Sequence, residues 1–196
     1  MASLRELRPK LTEYVRAICA SFDYNHDFEH HVCFVARDAE IIAQAENADP
    51  DICWTAAMLH ELGLVGGRED HDDRGPRRAA DFLTSIGADP RAVRRVAEVL
   101  RIHHDTALVK NGSAETQCVH DANELHTVGP NGFLRVFSDM IHLLDHKTRH
   151  EAMAELPDYL EHRLNLFCTA TARGMAEKDM PLLREFIRRY RAYEEL

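Results

Sequence analysis

The sequence predicts an all-α fold, a single-domain helical bundle over residues 1–196, and three observations predict it. Apolar residues recur at helical spacing almost throughout, and no run alternates strictly for long enough to make a strand. Asp-Pro and Gly punctuation falls where helices would start and stop. The 196 residues, 45% of them hydrophobic, suffice for one substantial core, and no linker, repeat or low-complexity tract divides them.

Helices are expected at about 4–20, 27–46, 51–63, 72–87, 90–103, 115–127, 130–150, 155–176 and 180–194. Asp27 is placed to cap the second. Asp49-Pro50-Asp51 starts the third, and the stretch from Asp51 to Leu64 is apolar around most of its circumference, which makes it the central buried helix. Gly63 and Gly66-Gly67 lie at its stop. The acidic run Glu69-Asp70-His71-Asp72-Asp73 has the composition of a solvated turn and a helix start. Gly87 ends the next helix and Asp89-Pro90 opens another. That one closes on His103-His104, a pair that the macrodipole favours in a last turn. Gly112 and Gly132 fall at turns. Phe34, Trp54 and Phe82 occupy core positions and are assigned to packing, and the C-terminal RRYRAYEEL reads as an exposed, charged last turn.

Charge and cysteine content narrow the chemistry. A net charge of −9, spread along the chain, leaves no electrostatic footprint for a nucleic-acid polymer. The charged start MASLRELRPK is no secretory signal, and no stretch approaches the roughly 20 apolar residues of a membrane span, so a soluble cytoplasmic protein with no membrane partner is expected. Cys19, Cys33, Cys53, Cys118 and Cys168 include no close pair, which fits reduced thiols and excludes a cysteine-based zinc site of usual spacing. Any metal must therefore be held by histidine and carboxylate.

Thirteen histidines offer that material. His26, His30 and His31 begin the second helix, His60-Glu61 ends the third, His71-Asp72-Asp73 follows the glycine loop, His103-His104 ends the fifth and His120-Asp121 lies in the sixth. A glutamate at the end of so apolar a helix as the third needs a cation or strong donors, because a buried unpaired carboxylate costs several kcal/mol. Imidazole and carboxylate together suit transition-metal ions, singly or as a bridged pair. His142, His146 and His150 recur every fourth residue, and a solvated or pocket-rim stripe explains them without a metal.

Three segments, HDFEHHVCFVARDAEIIA over 26–43, AAMLHELG over 56–63 and ETQCVHDANELHTVGPNGFLRVF over 115–137, together resemble the HD-domain metal-dependent phosphohydrolases, in that family's order. The resemblance implies an all-helical scaffold on which His31, or else His30, His60, Glu61 and Asp121 hold a divalent ion. His71 and His103 or His104 stand where binuclear members place further ligands. The implied cofactor is one or two ions of Fe, Mn, Zn, Ni, Co or Mg per chain. Two departures are specific to this sequence: Glu61 replaces the family's Asp, adding one methylene, and Leu64 stands where many members carry a polar residue facing phosphate.

A phosphate clamp must therefore come from elsewhere, and guanidinium suits it. Arg68, Arg77 or Arg78, and Arg135 are candidates, with His104 at the same rim; the resemblance supports Arg135. The expected activity is hydrolysis of a small phosphomonoester or nucleotide by a metal-activated water. Glu61 and Asp121 serve the metal and Arg135 the developing charge, while Asp121 or Glu124 takes the proton. Two alternatives follow from the same residues. One is a di-iron oxygenase built on His31, His60, Glu61, His71, His103 and Asp121; the other is a non-catalytic nucleotide- or metal-binding module.

Overall fold

The computed structural model describes residues 1–22, 26–67, 69–144 and 148–194, and these are helical with no named strand. They form two compact units, Met1–Asn123 and Glu124–Leu196.

In the first unit, α1 (Leu4–Cys19) opens with a capping box, Ser3 and Glu6 satisfying one another's backbone amides. A π-helical turn at Phe28–Val32 leads into α2 (Cys33–Ala45). The two Asp-Pro starts behave as expected. Asp49 accepts from the amides of Asp51 and Ile52 at 3.1 and 3.2 Å ahead of α3 (Pro50–Leu59), and Asp89 caps α5 (Pro90–Ile102) in the same way. α3 is buried on nearly every side, packs against α1, α2 and α5, and tightens into a 3-10 turn at His60–Leu64. α4 (His71–Ser85) packs on that turn and on α5. Gly63 permits the approach, because a Cβ there would collide with the His71 carbonyl oxygen.

Two expectations need correction here. The stretch between the fifth and sixth predicted helices contains a short helix, α6 (Thr106–Val109), capped by Asp105 at 2.9 and 3.1 Å. Four residues are too few to show a hydrophobic period. The start of α2 is π-helical, so its first turn carries one residue more than a regular helix would.

α7 (Ala114–Val128) runs through the boundary between the units. The second unit continues with α8 (Pro130–Asp139), a π turn at Met140–Leu144, α9 (Arg149–Leu164) and α10 (Ala170–Glu194). Its core is Phe133, Val136, Met140, Ala152, Met153, Leu156, Leu160, Met180, Leu183 and Ile187. The predicted boundaries fail here. The helix expected over 130–150 is interrupted at Thr148, an extended cap that forms a capping box with Glu151 and starts α9. The break expected near residue 178 falls instead at 165–169. Pro181 sits inside α10 without ending it, since proline forfeits one backbone bond and the buried Met180, Leu183 and Ile187 hold the helix around it.

Candidate metal centre

The first unit gathers its ionisable residues where α2, α3 and the 3-10 turn meet. The π turn sorts the adjacent histidines of α2. The Val32 amide reaches back five residues to the Asp27 carbonyl at 3.2 Å, and the added residue turns His31 inward and His30 outward. His31 is 1% exposed. His30 is exposed, and its amide and Nδ1 lie 2.7 and 3.0 Å from the Asp27 carboxylate.

At the end of α3, His60 Nδ1 donates to the Ala57 carbonyl at 2.6 Å, which fixes the tautomer and leaves the Nε2 lone pair facing inward. Glu61 then sets Oε1 3.1 Å from His60 Nε2 and 3.0 Å from His31 Nε2, while the two Nε2 atoms are 3.1 Å apart. The three donors form a nearly equilateral triangle. Neighbouring donors around an octahedral divalent ion at about 2.1–2.2 Å are themselves about 3 Å apart, so the triangle fits one face of such an ion. Two imidazoles and one carboxylate, converging and buried, can hold a divalent metal. Burial alone would raise the Glu61 pKa, but His60 and His31 outweigh it and hold the carboxyl well below its ordinary range.

Further imidazoles extend from this triangle in a row. His26 is buried, with Nε2 3.9 Å from Glu61 Oε1 and its ring edge-on to His31 at 5.8 Å. On the other side the rings of His60 and His103 are 6.1 Å apart, His103 and His104 3.8 Å, and His104 and His71 6.0 Å. His103 repeats the device of His60. Its Nδ1 donates to the Leu100 carbonyl at 2.9 Å, and its buried Nε2 makes no hydrogen bond among the described residues. Burial, then His104 and His60, push the His103 pKa well below the ordinary value, so it presents a neutral lone pair.

The remaining predicted residues are placed variously. Asp121 is fully buried on α7, its Oδ1 2.9 Å from His120 Nδ1, but it lies outside the triangle, whose members are within 4.8 Å of one another. Arg77 is exposed and lines a groove of about 250 Å³ between α4 and α5 with Asp73 and Arg101, to which the histidine row contributes no lining residue. Arg68 and His146 lie outside the described residues, and His142 and His150 are exposed. Arg135 belongs to the second unit, where it donates to the His126 carbonyl at 3.5 Å. Glu124, also in that unit, is held by Arg163 at 2.8 and 2.9 Å.

One residue that organises the site had no signal in the sequence. Arg74 donates through Nη1 to the carbonyls of Gly63, Val65 and Gly67 at 3.1, 2.8 and 3.3 Å, and through Nη2 to Glu69, tying the loop after the His60-Glu61 doublet to α4. A lone arginine on a helix amid acidic residues reads as a solvated face, and only the folded loop reveals what it binds.

The HD domain family model matches residues 28–128, a little more than half the chain and the span that carries the triangle, His71, His103, His104 and Asp121. The chain belongs to the HD-domain family. It is 28% identical to the uncharacterized protein YpgQ of Bacillus subtilis strain 168 over 194 residues, covering 94% of this chain and 93% of YpgQ. The crystal structure of YpgQ in complex with ADP shares its fold with a TM-score of 0.75 at 24% identity, over 95% of this chain and 94% of that one. An HD-superfamily hydrolase from Bacillus thuringiensis aligns with a TM-score of 0.76 at 18% identity, with 98% of both chains covered. A predicted HD superfamily hydrolase from an uncultured Thermotogales bacterium gives 0.68 at 24% identity, over 95% and 92% of the chains. The all-α expectation is met, and it is met in the HD form. No described helix is long and apolar enough to cross a membrane.

Proposed function

We propose that this chain is a metal-dependent phosphohydrolase acting on a small phosphomonoester or nucleotide. The observation that carries the reading is the triangle of His31 Nε2, His60 Nε2 and Glu61 Oε1, with edges of 3.0 to 3.1 Å, in a chain of the HD-domain family. In this reading His31, His60 and Glu61 hold the ion and Asp121 completes the set from α7. Glu61 does here what aspartate does elsewhere in the family, its additional methylene giving the reach to both imidazoles. His103, with its buried neutral Nε2, and His71 and His104 beside it supply ligands for a second ion.

When bound, a divalent ion supplies Lewis acidity to a phosphoryl oxygen and lowers the pKa of an adjacent water. The chain's own residues do the rest. His60 keeps its lone pair inward through the Ala57 carbonyl, His31 and His103 lie buried on either side of it, and Arg74 fixes the loop beside the site. His104, whose ring lies 3.8 Å from that of His103, is proposed to receive the substrate's anionic oxygens. That YpgQ has been crystallised with ADP favours a nucleotide.

A second reading has its own support, because a facial set of two histidines and one carboxylate also suits iron in oxygen chemistry. Metal analysis of protein purified without chelator separates the two. One or two ions of manganese, zinc, nickel or cobalt per chain, with phosphate released from a nucleotide panel, is the expected result; two irons with oxygen consumption would replace it. His60→Ala and Asp121→Ala should abolish metal binding and phosphate release together, and full metal content in both variants would overturn the assignment.

A further inference from the structure

Asp121 lies on α7, whereas the triangle is built by the turn before α2 and the end of α3, so a ligand role for Asp121 requires its carboxylate to be oriented from its own helix. We propose that His120 is the positioning residue that does so, a role that rests on reading Asp121 as a metal ligand. His120 is 2% exposed and Asp121 0%, and His120 Nδ1 lies 2.9 Å from Asp121 Oδ1. A buried carboxylate needs donors, and an imidazole nitrogen facing it donates. Side chains of adjacent residues on a helix diverge by about 100°, so this contact forms only because Nδ1, the ring nitrogen nearer the backbone, turns toward the edge that the two residues share.

The second ring nitrogen fixes the tautomer. With Nδ1 protonated, Nε2 is an acceptor, and it faces the Thr106 hydroxyl of α6 across a long contact of 3.5 Å. The ring is thus tethered at both ends, to α6 and to Asp121. Holding Oδ1 stops rotation about the last torsion of Asp121 and so fixes the direction of Oδ2. Groups that orient a metal-bound carboxylate in this way typically change metal affinity by about 10–100-fold when removed. His120 belongs to no ligand set proposed above, and the triangle of His31, His60 and Glu61 is complete without it.

The test is Mn2+ binding to the full chain, read as free ion by electron paramagnetic resonance, so that the readout does not depend on turnover. His120→Ala should weaken Mn2+ binding by about 10–100-fold. His120→Asn, whose amide nitrogen falls near the place of Nδ1, should recover most of that loss, and His120→Gln, whose amide falls near Nε2, should not. The Asn and Gln variants both keep a polar side chain, so the difference between them carries the test even if the alanine variant folds poorly. Equal Mn2+ affinity in wild type, His120→Asn and His120→Gln would overturn the proposal, provided Asp121→Ala loses the ion. If Asp121→Ala binds Mn2+ as wild type does, it is the ligand assignment of Asp121 that fails, and the two failures are thereby told apart.

Discussion

The two units bury different things. Met1–Asn123 encloses His26, His31, His60, Glu61, His103, His120 and Asp121 among its apolar residues. Glu124–Leu196 has a mainly apolar core and fewer buried polar side chains, among the described residues Glu124, answered by Arg163 at 2.8 Å, His126 and Thr169. Burial pulls the Arg163 pKa down, but Glu124 outweighs it and keeps the guanidinium charged. Polar groups at the centre of a domain weaken it unless every one is satisfied, whereas an apolar core is stabilised by packing alone. A divalent ion bound at the triangle would therefore add to the stability of the first unit.

The largest effect on stability should come from the second unit. Leu156 is fully buried in its core, and Leu156→Ala should lower the unfolding free energy by about 3–5 kcal/mol through lost transfer energy and the cavity left behind. Its metal content should not change. The single tryptophan, Trp54 on α3, reports the first unit by fluorescence, and far-ultraviolet circular dichroism reports both. We expect the two transitions to move together, as one cooperative domain; separate transitions in Leu156→Ala would make the units independent domains.

A smaller effect belongs to the first unit and depends on pH. The folded protein holds His103 below its ordinary value of 6.5, so the unfolded chain binds the proton more readily. His103's contribution to stability is complete above pH 6.5 and is lost as the pH falls below it. Glu61, also lowered, acts in the same direction below its ordinary value of 4.5. Metal-free protein should therefore lose melting temperature steadily from pH 7 to pH 4, and a bound divalent ion should delay that loss by competing with the protons. A flat profile for the metal-free protein would contradict the buried neutral imidazole.

The smallest effect is chemical. Burial first, and the charge of Glu61 after it, push the Cys19 thiol up to about 12, and Cys53, shielded beside Cys118, is pushed up as well. Both should resist iodoacetamide at pH 8 in the folded protein and react at the rate of ordinary thiols once it is unfolded. Modification of Cys19 in native protein would show that the first unit opens far more readily than its packing implies.

The parts that the sequence made legible share a cause. Asp49 and Asp89 cap helices through contacts two and three residues away, and the apolar circumference of α3 marks it as central and its terminal glutamate as in need of a partner. Each is a property of one turn of chain. The parts it left illegible depend on more than one segment. Periodicity could not choose His31 over His30, because an extra residue in the first turn of α2 made the choice. Nor could it find the break at 165–169, since the packing around Pro181 overrides the local tendency of proline to end a helix.

What the sequence alone determined is therefore the helical class, the central helix and the residue types able to hold a metal, all fixed by short-range periodicity and by the cost of burying charge. Only the tertiary structure decided that Nε2 of His31, Nε2 of His60 and Oε1 of Glu61 meet at 3.0 to 3.1 Å, that Arg74 holds the loop beside them and that His120 grips Asp121. The reason is that these distances are set by side chains from elements tens of residues apart, or by which edge of a helix is buried, and neither is written in the spacing along a single helix.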